Sequence, residues 1–545
     1  MTELRDLRPK PLPTWLAKPR DLVFENAVAI TILISAAIAR VLLSRWNSYW
    51  IDELYAVWVQ GILQETLWDA IQRVAAGVHP PFYQLALDTW MNVFGDGEGA
   101  TRALSNLFVT GGGWFVYLLA RDAFSKKVGI WTVATYSLLY STLYYGIETR
   151  PYGLTIFLAA LSSYLFLRIV RRGLAGTWRR AVLSPAAAGL VLVNLLLLLT
   201  HYYNAFFWGA QVVFAALVAM VEFRPRRWLA SLGTAVGAWV VQFGLFWWVW
   251  GWATTGVVDR NNDRIAVDDP ARILSPFELL RRMILNQNFR GAPRWFFMVA
   301  GVILAIMAVR SLIQVARRNP DRFGAWARLY MVGWLILPMI AVWAVFDFLD
   351  VAKYTARYFV YSTIPLAALV FLGLEEVGDW VTRIVRRVSD TRTVELVAPA
   401  LALAVISTMV VPGTIAAATQ RKADFRGTAQ ELVASIEADP RGSYIIFDTS
   451  YREYSVLDYY LARYSASIRV GGVIQRLEER RGHSYRFETD ARIESHDYLI
   501  VTFIHFDVSE FPIALKILED RYEVRHRHLN PGGHGYVVFD IHPDD

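Results

Sequence analysis

Two adjacent carboxylates, Asp52 and Glu53, lie in an aromatic-rich stretch directly after the first long apolar run of the sequence. A positioned carboxylate can take the proton from an acceptor hydroxyl, and hard divalent cations prefer carboxylate oxygens as ligands. Asp is also a common helix N-cap, so Asp52 could instead cap a helix that begins at Glu53-Leu54. The pair predicts a general base or a cation ligand, and either role can coexist with capping.

A histidine directly precedes a proline pair in the segment Val78-His79-Pro80-Pro81-Phe82-Tyr83. Proline is well suited to the first turn of a helix, and a helix N-terminus beside a cationic side chain favours a phosphate. Because proline pairs also mark turns in general, the alternative is an interfacial turn in which His79 has no chemical role.

Two charged residues, Glu148 and Arg150, occupy the short connection between Gly146 and Pro151. Glu148 could ligate a metal or anchor an acceptor, and Arg150 could bind a phosphate through its planar guanidinium. The alternative is a local ion pair that holds a tight helix hairpin, which contributes little at a wet surface.

Three further residues at the ends of apolar runs complete the set of candidates. His201 follows the unbroken apolar run Leu195–Thr200 and is either a metal ligand or a hydrogen-bonded interfacial histidine. Lys353 and Arg357 lie four residues apart, and Arg357 could bind an anionic lipid headgroup or simply extend toward the interface.

The composition of the chain indicates which elements must position these side chains. Of 545 residues, 55% are hydrophobic and 19% charged, with 21 Trp and no Cys. Soluble domains average about 45–50% apolar and about 25% charged residues, so the composition excludes a disordered chain and argues against an ordinary soluble enzyme. Without cysteine there is no disulfide framework, thiol nucleophile or zinc–thiolate site. Runs of about 20 apolar residues would make the chain a polytopic membrane protein.

Eleven such runs occur, and they predict about eleven transmembrane helices: Glu25–Leu43, Ala103–Leu119, Val128–Tyr145, Tyr152–Val170, Val182–Leu199, Tyr202–Val221, Leu229–Gly251, Trp295–Ser311, Leu329–Phe346, Phe359–Gly373 and Val394–Val411. Lys and Arg concentrate in the N-terminal segment and in every second connection, which predicts a cytoplasmic N-terminus and an outer C-terminus in the cell inner (plasma) membrane. The two long outer connections, 45–101 and 252–294, are expected to carry function.

The composition changes after Pro412-Gly413. Residues 414–545 hold 16 basic and 21 acidic residues, a net charge of −5, so the remaining chain carries +12. Short apolar runs at Tyr444–Phe447, Tyr498–Ile504 and Tyr536–Ile541 alternate with amphipathic stretches, a pattern typical of a small α/β domain. The sequence thus predicts a membrane domain over 1–413 and an extracytoplasmic soluble α/β domain over 414–545.

The predicted topology places all the candidate side chains on the outer side, where they could converge in one cleft. Their order along the chain resembles that of bacterial glycosyltransferases of the C-type membrane fold (GT-C), and more narrowly the family 39 group, related to protein O-mannosyltransferases and the lipid A aminoarabinose transferase. The likeness covers roughly residues 46–372. It is carried by Trp50-Ile51-Asp52-Glu53, His79-Pro80-Pro81-Phe82-Tyr83, Tyr144-Tyr145-Gly146-Ile147-Glu148-Thr149-Arg150-Pro151-Tyr152, Thr200-His201-Tyr202 and Ala356-Arg357-Tyr358-Phe359.

The resemblance implies a sugar donor on a polyprenyl phosphate and inverting transfer to an acceptor hydroxyl of a glycan, lipid or protein at the outer face. It implies that Asp52 is the general base, that Glu53 accompanies it, and that Glu148 lies near a metal or the acceptor. A divalent metal, Mg or Mn, on Asp52, Glu148 or His201 stays open. Membrane lipid is an expected partner and nucleic acid is not.

The donor phosphate, as the leaving group, would be bound by His79, Arg150, Lys353 and Arg357. Its prenyl tail needs an apolar groove between helices. The aromatic residues of one helix could line this groove, or they could form only an interfacial belt. The candidate aromatic residues are Phe246, Trp247, Trp248, Trp250 and Trp252.

The sequence departs from the named relatives at two places. Leu54-Tyr55-Ala56 follows Asp52-Glu53 where eukaryotic-type protein mannosyltransferases have a His-Phe-Gly-like stretch, and His79 stands where aminoarabinose transferases have Lys. Two other classes of function remain as alternatives: a transporter or flippase of a lipid-linked glycan, with Pro338 and Pro365 as helix breaks, and a non-catalytic scaffold with a glycan-binding outer domain.

Overall fold

The structure is a computed structural model, and most of the described chain is helical. It describes residues 26–44, 47–76, 79–176, 178–222, 228–254, 294–348, 356–385, 407, 410–419, 424–438, 442–449, 457–470, 472–473, 475–479, 482–486, 493, 495–503, 518–529 and 535–542. Three predicted features lie outside these residues: Lys353, residues 255–293 of the predicted loop 252–294, and most of the predicted helix Val394–Val411.

Seven helices in the described part of the chain are long and apolar enough to cross a membrane: Ala27–Ser44, Glu98–Ala123, Tyr152–Leu174, Asn204–Glu222, Arg294–Ala316, Arg322–Phe348, and Thr363–Val385 with the 3-10 turns Ala356–Ser362 that precede it. Three shorter apolar helices are Pro185–Leu198, Val410–Thr419 and the Val236–Gly251 part of helix Trp228–Thr254. The helical membrane fold is therefore as predicted, and the predicted count of eleven is roughly consistent with it.

The predicted span Val128–Tyr145 consists of two helices, Lys126–Leu138 and Tyr140–Tyr145. Leu139 between them has an extended backbone, with φ −63° and ψ 141°. The carbonyl of Leu139 starts the second helix: it accepts from the backbone N–H of Leu143 at 3.1 Å and also from the hydroxyl of Thr142 at 2.8 Å. A hydropathy window averages composition and so cannot detect a single extended residue.

The described chain divides into two compact units. The first comprises residues 1–42, 72–86 and 102–418, and the second comprises residues 43–71, 87–101 and 419–545. Inside the first unit, helices pack through a buried polar network: Gln211 donates to Ser162 at 2.8 Å and to Tyr330 at 3.0 Å, and Ser162 donates to Asn194 at 2.6 Å. In an apolar medium each of these groups needs a protein partner, so the network fixes the helix positions.

The second unit contains the strands β1 Tyr444–Thr449, β2 Gly472–Val473, β3 Gln475–Glu479, β4 Gly482–Arg486, β5 Tyr498–Phe503, β6 Glu523–Leu529 and β7 Gly535–Asp540. Five of them form a sheet in the order β2-β1-β5-β7-β6, and β3 and β4 form a separate two-stranded ladder. Strand β1 is parallel to β2 and β5, and β7 is antiparallel to β5 and β6. Alternate apolar residues such as Phe447, Leu499 and Phe539 form its core. The predicted α/β domain is confirmed.

Helices of the second unit come from the tail and from residues 45–101, the predicted first outer connection. Phe425–Ala438 and Asp458–Tyr464 belong to the tail. Residues 45–101 supply the helix Ile51–Leu54, which continues as the π-helix Tyr55–Ile62, and parts of helices Leu67–Ala75 and Phe82–Phe94. The short helix Trp178–Val182 belongs to the first unit. Gly61 of the π-helix packs so closely on Met91 and Asp88 that a Cβ there would lie 2.9 Å from Met91 Cε. A side chain at position 61 would therefore displace the terminal methyl group of Met91.

Candidate active site

The first unit brings together four of the predicted site residues: His79, Arg150, His201 and Arg357. Nη2 of Arg150 lies 3.1 Å from Nε2 of His79. A guanidinium can only donate, so His79 accepts through Nε2 and is the neutral tautomer protonated at Nδ1. The pair is formed by residues 71 positions apart, and it leaves the positive charge of the pair on Arg150.

The His-Pro-Pro turn is fixed against the connection that carries His201. The backbone N–H of Phe82 donates to the carbonyl of Leu199 at 3.0 Å. This bond uses one of the amide groups that a helix start leaves unpaired, at the first residue of helix Phe82–Phe94. The rings of His79 and His201 consequently lie 5.1 Å apart, centroid to centroid.

His201 is 4% exposed and has a defined tautomer. The backbone N–H of Tyr203 donates to its Nδ1 at 3.2 Å, so the proton of the neutral ring is on Nε2. Nε2 is buried and contacts no hydrogen-bond acceptor within the described residues. Burial, reinforced by the positive charges of Arg150 and Arg357, lowers the pKa of His201 to about 3. His201 is thus a neutral N–H donor placed among cations.

Aromatic rings surround His201. The ring of Tyr358 lies 5.0 Å from that of His201 and 4.4 Å from that of Tyr203. The guanidinium carbon of Arg357 lies 5.7 Å from the centre of the Tyr358 ring, within the range of a cation–π contact. Tyr152 adds a ring 6.2 Å from His201. Sequence reasoning did not assign Tyr203 and Tyr358 a role, although each is next in sequence, or nearly so, to an assigned residue.

Glu148 belongs to the same unit and is held through its backbone. Its carbonyl accepts hydrogen bonds from Ser105 Oγ at 2.6 Å and from the backbone N–H of Arg150 at 2.8 Å. The residue is only 1% exposed, and its carboxylate interacts electrostatically with Tyr140 and Tyr145. The burial of Glu148 contradicts the predicted alternative of an ion pair at a wet surface. A buried carboxylate is costly unless it is paired.

Asp52 and Glu53 lie in the second unit, in the one-turn helix Ile51–Leu54. The N-cap position is held by Trp50, and the carboxylate of Glu53 accepts from the backbone N–H of Trp50 at 3.3 Å. The capping hypothesis for Asp52 is therefore wrong: Glu53, which is fully buried, makes that contact. Asp52 is partly exposed, on the first turn of a helix that continues as a π-helix, a feature often found at functional sites.

The proposed metal ligands do not form a cation site in the described chain. Across the residues that the structure describes, no three His, Asp or Glu side chains lie close enough to hold a metal ion. His201 carries its proton on Nε2 and accepts through Nδ1, so neither nitrogen offers a lone pair to a metal. The hydrogen bond at Nδ1 thus argues against His201 as a metal ligand, and no step of the proposed mechanism runs through a cation.

The aromatic residues predicted to line a lipid groove have unequal surroundings. Trp250 is buried and donates from its indole N–H to Tyr202 Oη at 2.9 Å, while Trp248 is 81% exposed. Phe246 is buried and Trp247 is exposed, and the side chain of Trp252 lies outside the described residues. Helix Trp228–Thr254 thus presents one aromatic face to its neighbours and another outward.

Comparison with known proteins supports the fold and the class. Residues 78–252 match the family model described as dolichyl-phosphate-mannose-protein mannosyltransferase. No curated protein matches the chain. Among solved structures, apo ArnT from Cupriavidus metallidurans aligns with a TM-score of 0.52 at 13% sequence identity, over 95% of this chain and 98% of that chain.

Two further solved structures align with lower scores. ArnT from Cupriavidus metallidurans bound to undecaprenyl phosphate aligns with a TM-score of 0.46 at 12% identity, over 96% of this chain and 98% of that one. The Archaeoglobus fulgidus oligosaccharyltransferase tethered with an acceptor peptide aligns with a TM-score of 0.43 at 13% identity, over 79% and 62%.

The apo ArnT likeness shows the fold, and the family match covers His79, Glu148, Arg150 and His201. The predicted GT-C membrane fold is confirmed, and the chain is a multi-pass membrane protein. Family match and fold together indicate a glycosyltransferase, as the sequence predicted.

Proposed function

We propose that the chain transfers a sugar from a polyprenyl-phosphate donor to an acceptor hydroxyl at the outer face of the membrane, with inversion at the anomeric carbon. The observation that carries the proposal is the cluster in which Arg150 contacts His79 beside the rings of His201 and Tyr358, with Arg357 next to them. Two arginines with neutral histidines suit a lipid-linked phosphate. The matched family description, which names a dolichyl-phosphate sugar, supports this donor class.

Charge develops on the leaving group during transfer. The bond between the anomeric carbon and the phosphate oxygen breaks as the acceptor oxygen bonds to that carbon, and the polyprenyl phosphate leaves with one additional negative charge. Arg150 and Arg357 stabilise this charge, and the Nε2–H of His201 donates a further hydrogen bond. His201 is neutral because its pKa is lowered to about 3, so it donates a hydrogen bond to the phosphate and does not transfer a proton to it.

Asp52 takes the proton of the acceptor hydroxyl. Inversion requires this base on the face of the sugar opposite the phosphate, so the base and the arginines must come from different segments. The capping contact of Glu53 with Trp50 fixes the turn that carries Asp52, and it is the companion role that we assign to Glu53. Glu148 anchors the acceptor, and Lys353 adds a cation for the phosphate. The N-terminus is cytoplasmic and the C-terminal domain is extracytoplasmic.

A transfer assay with purified protein tests the proposal. A polyprenyl-phosphate sugar labelled in the sugar is supplied with membrane extract as the acceptor source, and the label released from the prenyl lipid is measured. We expect transfer by the wild type and loss of at least about 100-fold in Asp52→Asn, since a general base contributes about 10²–10⁴-fold.

The matched control is Glu65→Gln, which removes an exposed carboxylate from the same outer segment. It should retain full transfer, and Asp52→Asn should still bind the donor. Full activity of Asp52→Asn would overturn the assignment. Movement of the lipid-linked sugar across proteoliposomes without transfer, unaffected by Asp52→Asn, would instead establish the flippase.

A further inference from the structure

Three residues before Asp52, a buried backbone amide is bonded to the tail of the chain. The N–H of Tyr49 donates to Tyr460 Oη at 2.8 Å and to Glu98 Oε1 at 3.2 Å, and the Tyr460 hydroxyl in turn donates to Glu98. All three belong to the second compact unit, and Tyr49 and Tyr460 are separated by 411 positions. An amide buried this completely is costly to leave unpaired.

The carboxylate of Glu98 is itself held by the tail. Its second oxygen, Oε2, lies 2.6 Å from Nη1 of Arg426 in an ion pair in which both side chains are at most about one-third exposed. Tyr460, Glu98 and Arg426 thus form a chain of charge-assisted hydrogen bonds that ends on the Tyr49 amide, and such bonds are stronger than neutral ones.

A second contact fixes the preceding residue. The backbone N–H of Phe425 donates to Ser48 Oγ at 3.1 Å, and Ser48 Oγ donates to the carbonyl of Tyr49 at 3.3 Å. Ser48, Tyr49 and Phe425 are all buried. Ser48 and Tyr49, which precede helix Ile51–Leu54, are therefore both hydrogen-bonded to residues of the C-terminal domain.

We propose that Tyr460, acting with Glu98 and Arg426, is a positioning residue for the Asp52 carboxylate. The C-terminal domain sets the backbone at residues 48 and 49, which determines where the first turn of the helix starts and where Asp52 points. This inference rests on the proposed role of Asp52 as the base. It assigns the C-terminal domain a part in catalysis.

The test compares Tyr460→Phe with Tyr464→Phe, a partly exposed tyrosine at the end of the same helix. Donor dependence of the transfer rate is measured for both full-length proteins. We expect Tyr460→Phe to lower kcat by about 10–100-fold, as a misplacement of about 1 Å can, with the donor KM and the Tm close to wild type. Tyr464→Phe should match the wild type in all three.

Three results would overturn the inference: wild-type kcat in Tyr460→Phe, a rise in donor KM at unchanged kcat, or an equal loss in Tyr464→Phe. If Tyr460→Phe does not fold, Glu98→Gln keeps an acceptor for Tyr460 and removes the charge that Arg426 pairs with, and it should also lower kcat at constant KM. Absence of transfer by the wild type would count against the proposed function, whereas an active wild type with an unaffected Tyr460→Phe would overturn only the positioning role.

Discussion

The backbone N–H of Tyr203 donates to Nδ1 of His201 at 3.2 Å, and this one bond decides the chemistry open to the imidazole. With Nδ1 accepting, the ring proton is on Nε2, and His201 becomes a hydrogen-bond donor instead of the metal ligand that its position in the sequence suggested. The neighbouring arginines oppose a second proton on the ring. The neutral ring of His201 therefore offers an N–H donor at Nε2, and its lowered pKa keeps it from titrating near neutral pH.

Two substitutions of His201 should distinguish the hydrogen bond donated by Nε2–H from any other contribution of the imidazole ring. His201→Gln keeps an N–H near the position of Nε2, while His201→Ala removes it. We expect His201→Ala to lower kcat/KM by about 10–100-fold, the range for one lost hydrogen bond to a charged group, and His201→Gln to retain most of the activity. Steady-state transfer rates at saturating acceptor measure this. Equal losses in the two variants would show that the ring itself is required.

Acidification should destabilise the protein through His201. An unfolded chain protonates this residue below pH about 6.5, whereas the folded protein, with a pKa lowered to about 3, does not. The free energy of unfolding should therefore fall from pH 6.5 toward pH 3, by at most about 1.4 kcal/mol per pH unit for this one proton, and should not change on this account above pH 6.5. Tm in detergent should fall less between pH 6.5 and 5 in His201→Gln than in wild type. Parallel curves would contradict the lowered pKa.

Removing the Arg357 guanidinium should weaken donor binding more than it slows transfer at saturation. A hydrogen bond to a charged group contributes about 1.5–3 kcal/mol, so Arg357→Ala should raise the Kd of a prenyl phosphate by about 10–100-fold. Arg317→Ala, an exposed arginine near the end of helix Arg294–Ala316, is the matched control and should leave Kd unchanged. Unchanged affinity in Arg357→Ala, measured by thermal shift or fluorescence, would remove Arg357 from the phosphate site.

Gly146 should tolerate no side chain. A Cβ there would lie 2.5 Å from Cδ of the buried Arg40 and 2.7 Å from the carbonyl of Thr142, while at Gly209 it would meet no atom within 4 Å. Arg40 cannot move aside, because its Nε donates to Asn106 at 2.7 Å and its Nη2 to Thr110 at 2.9 Å. Gly146→Ala should cost about 1–3 kcal/mol by overpacking, and Gly209→Ala should be neutral or slightly stabilising. Equal Tm values for the two variants would contradict this.

The orientation can be tested with topology reporters. The concentration of Lys and Arg in alternate connections predicts that a reporter fused at Asp545 is active only outside the cytoplasm. A second fusion after Arg318, in a basic connection, should be active only inside. A cytoplasmic signal from Asp545 would require an even number of membrane crossings.

Prediction from sequence succeeded where the signal is local or ordered along the chain. Long apolar runs predicted the helices, and short apolar runs predicted β1, β5 and β7 close to their observed bounds. The order of the His-Pro-Pro and Glu-x-Arg-Pro segments predicted that His79 and Arg150 lie near each other, and their side chains are in direct contact at 3.1 Å.

Prediction from sequence failed for contacts that the neighbouring residues in the sequence do not reveal. Nothing near Tyr49 indicates that its amide pairs with Tyr460, because the two are far apart in sequence and tyrosine is common in this chain. The capping preference of aspartate makes Asp52 a candidate cap, whereas the observed cap uses the Glu53 side chain, three residues after the N-cap. Residue type gives a preference, and the geometry of the turn decides which neighbour satisfies it.

The second compact unit joins residues 43–71 and 87–101 to residues 419–545. The tail is consequently not an exchangeable cassette. A hybrid gene joined at residue 419 would retain Asp96 and Glu98 but lose Arg463 and Arg426, which pair with them at 2.6 Å. Such a hybrid would be impaired for reasons unrelated to substrate choice. Swapping specificity between relatives would require moving residues 43–101 and the tail together, at three junctions instead of one.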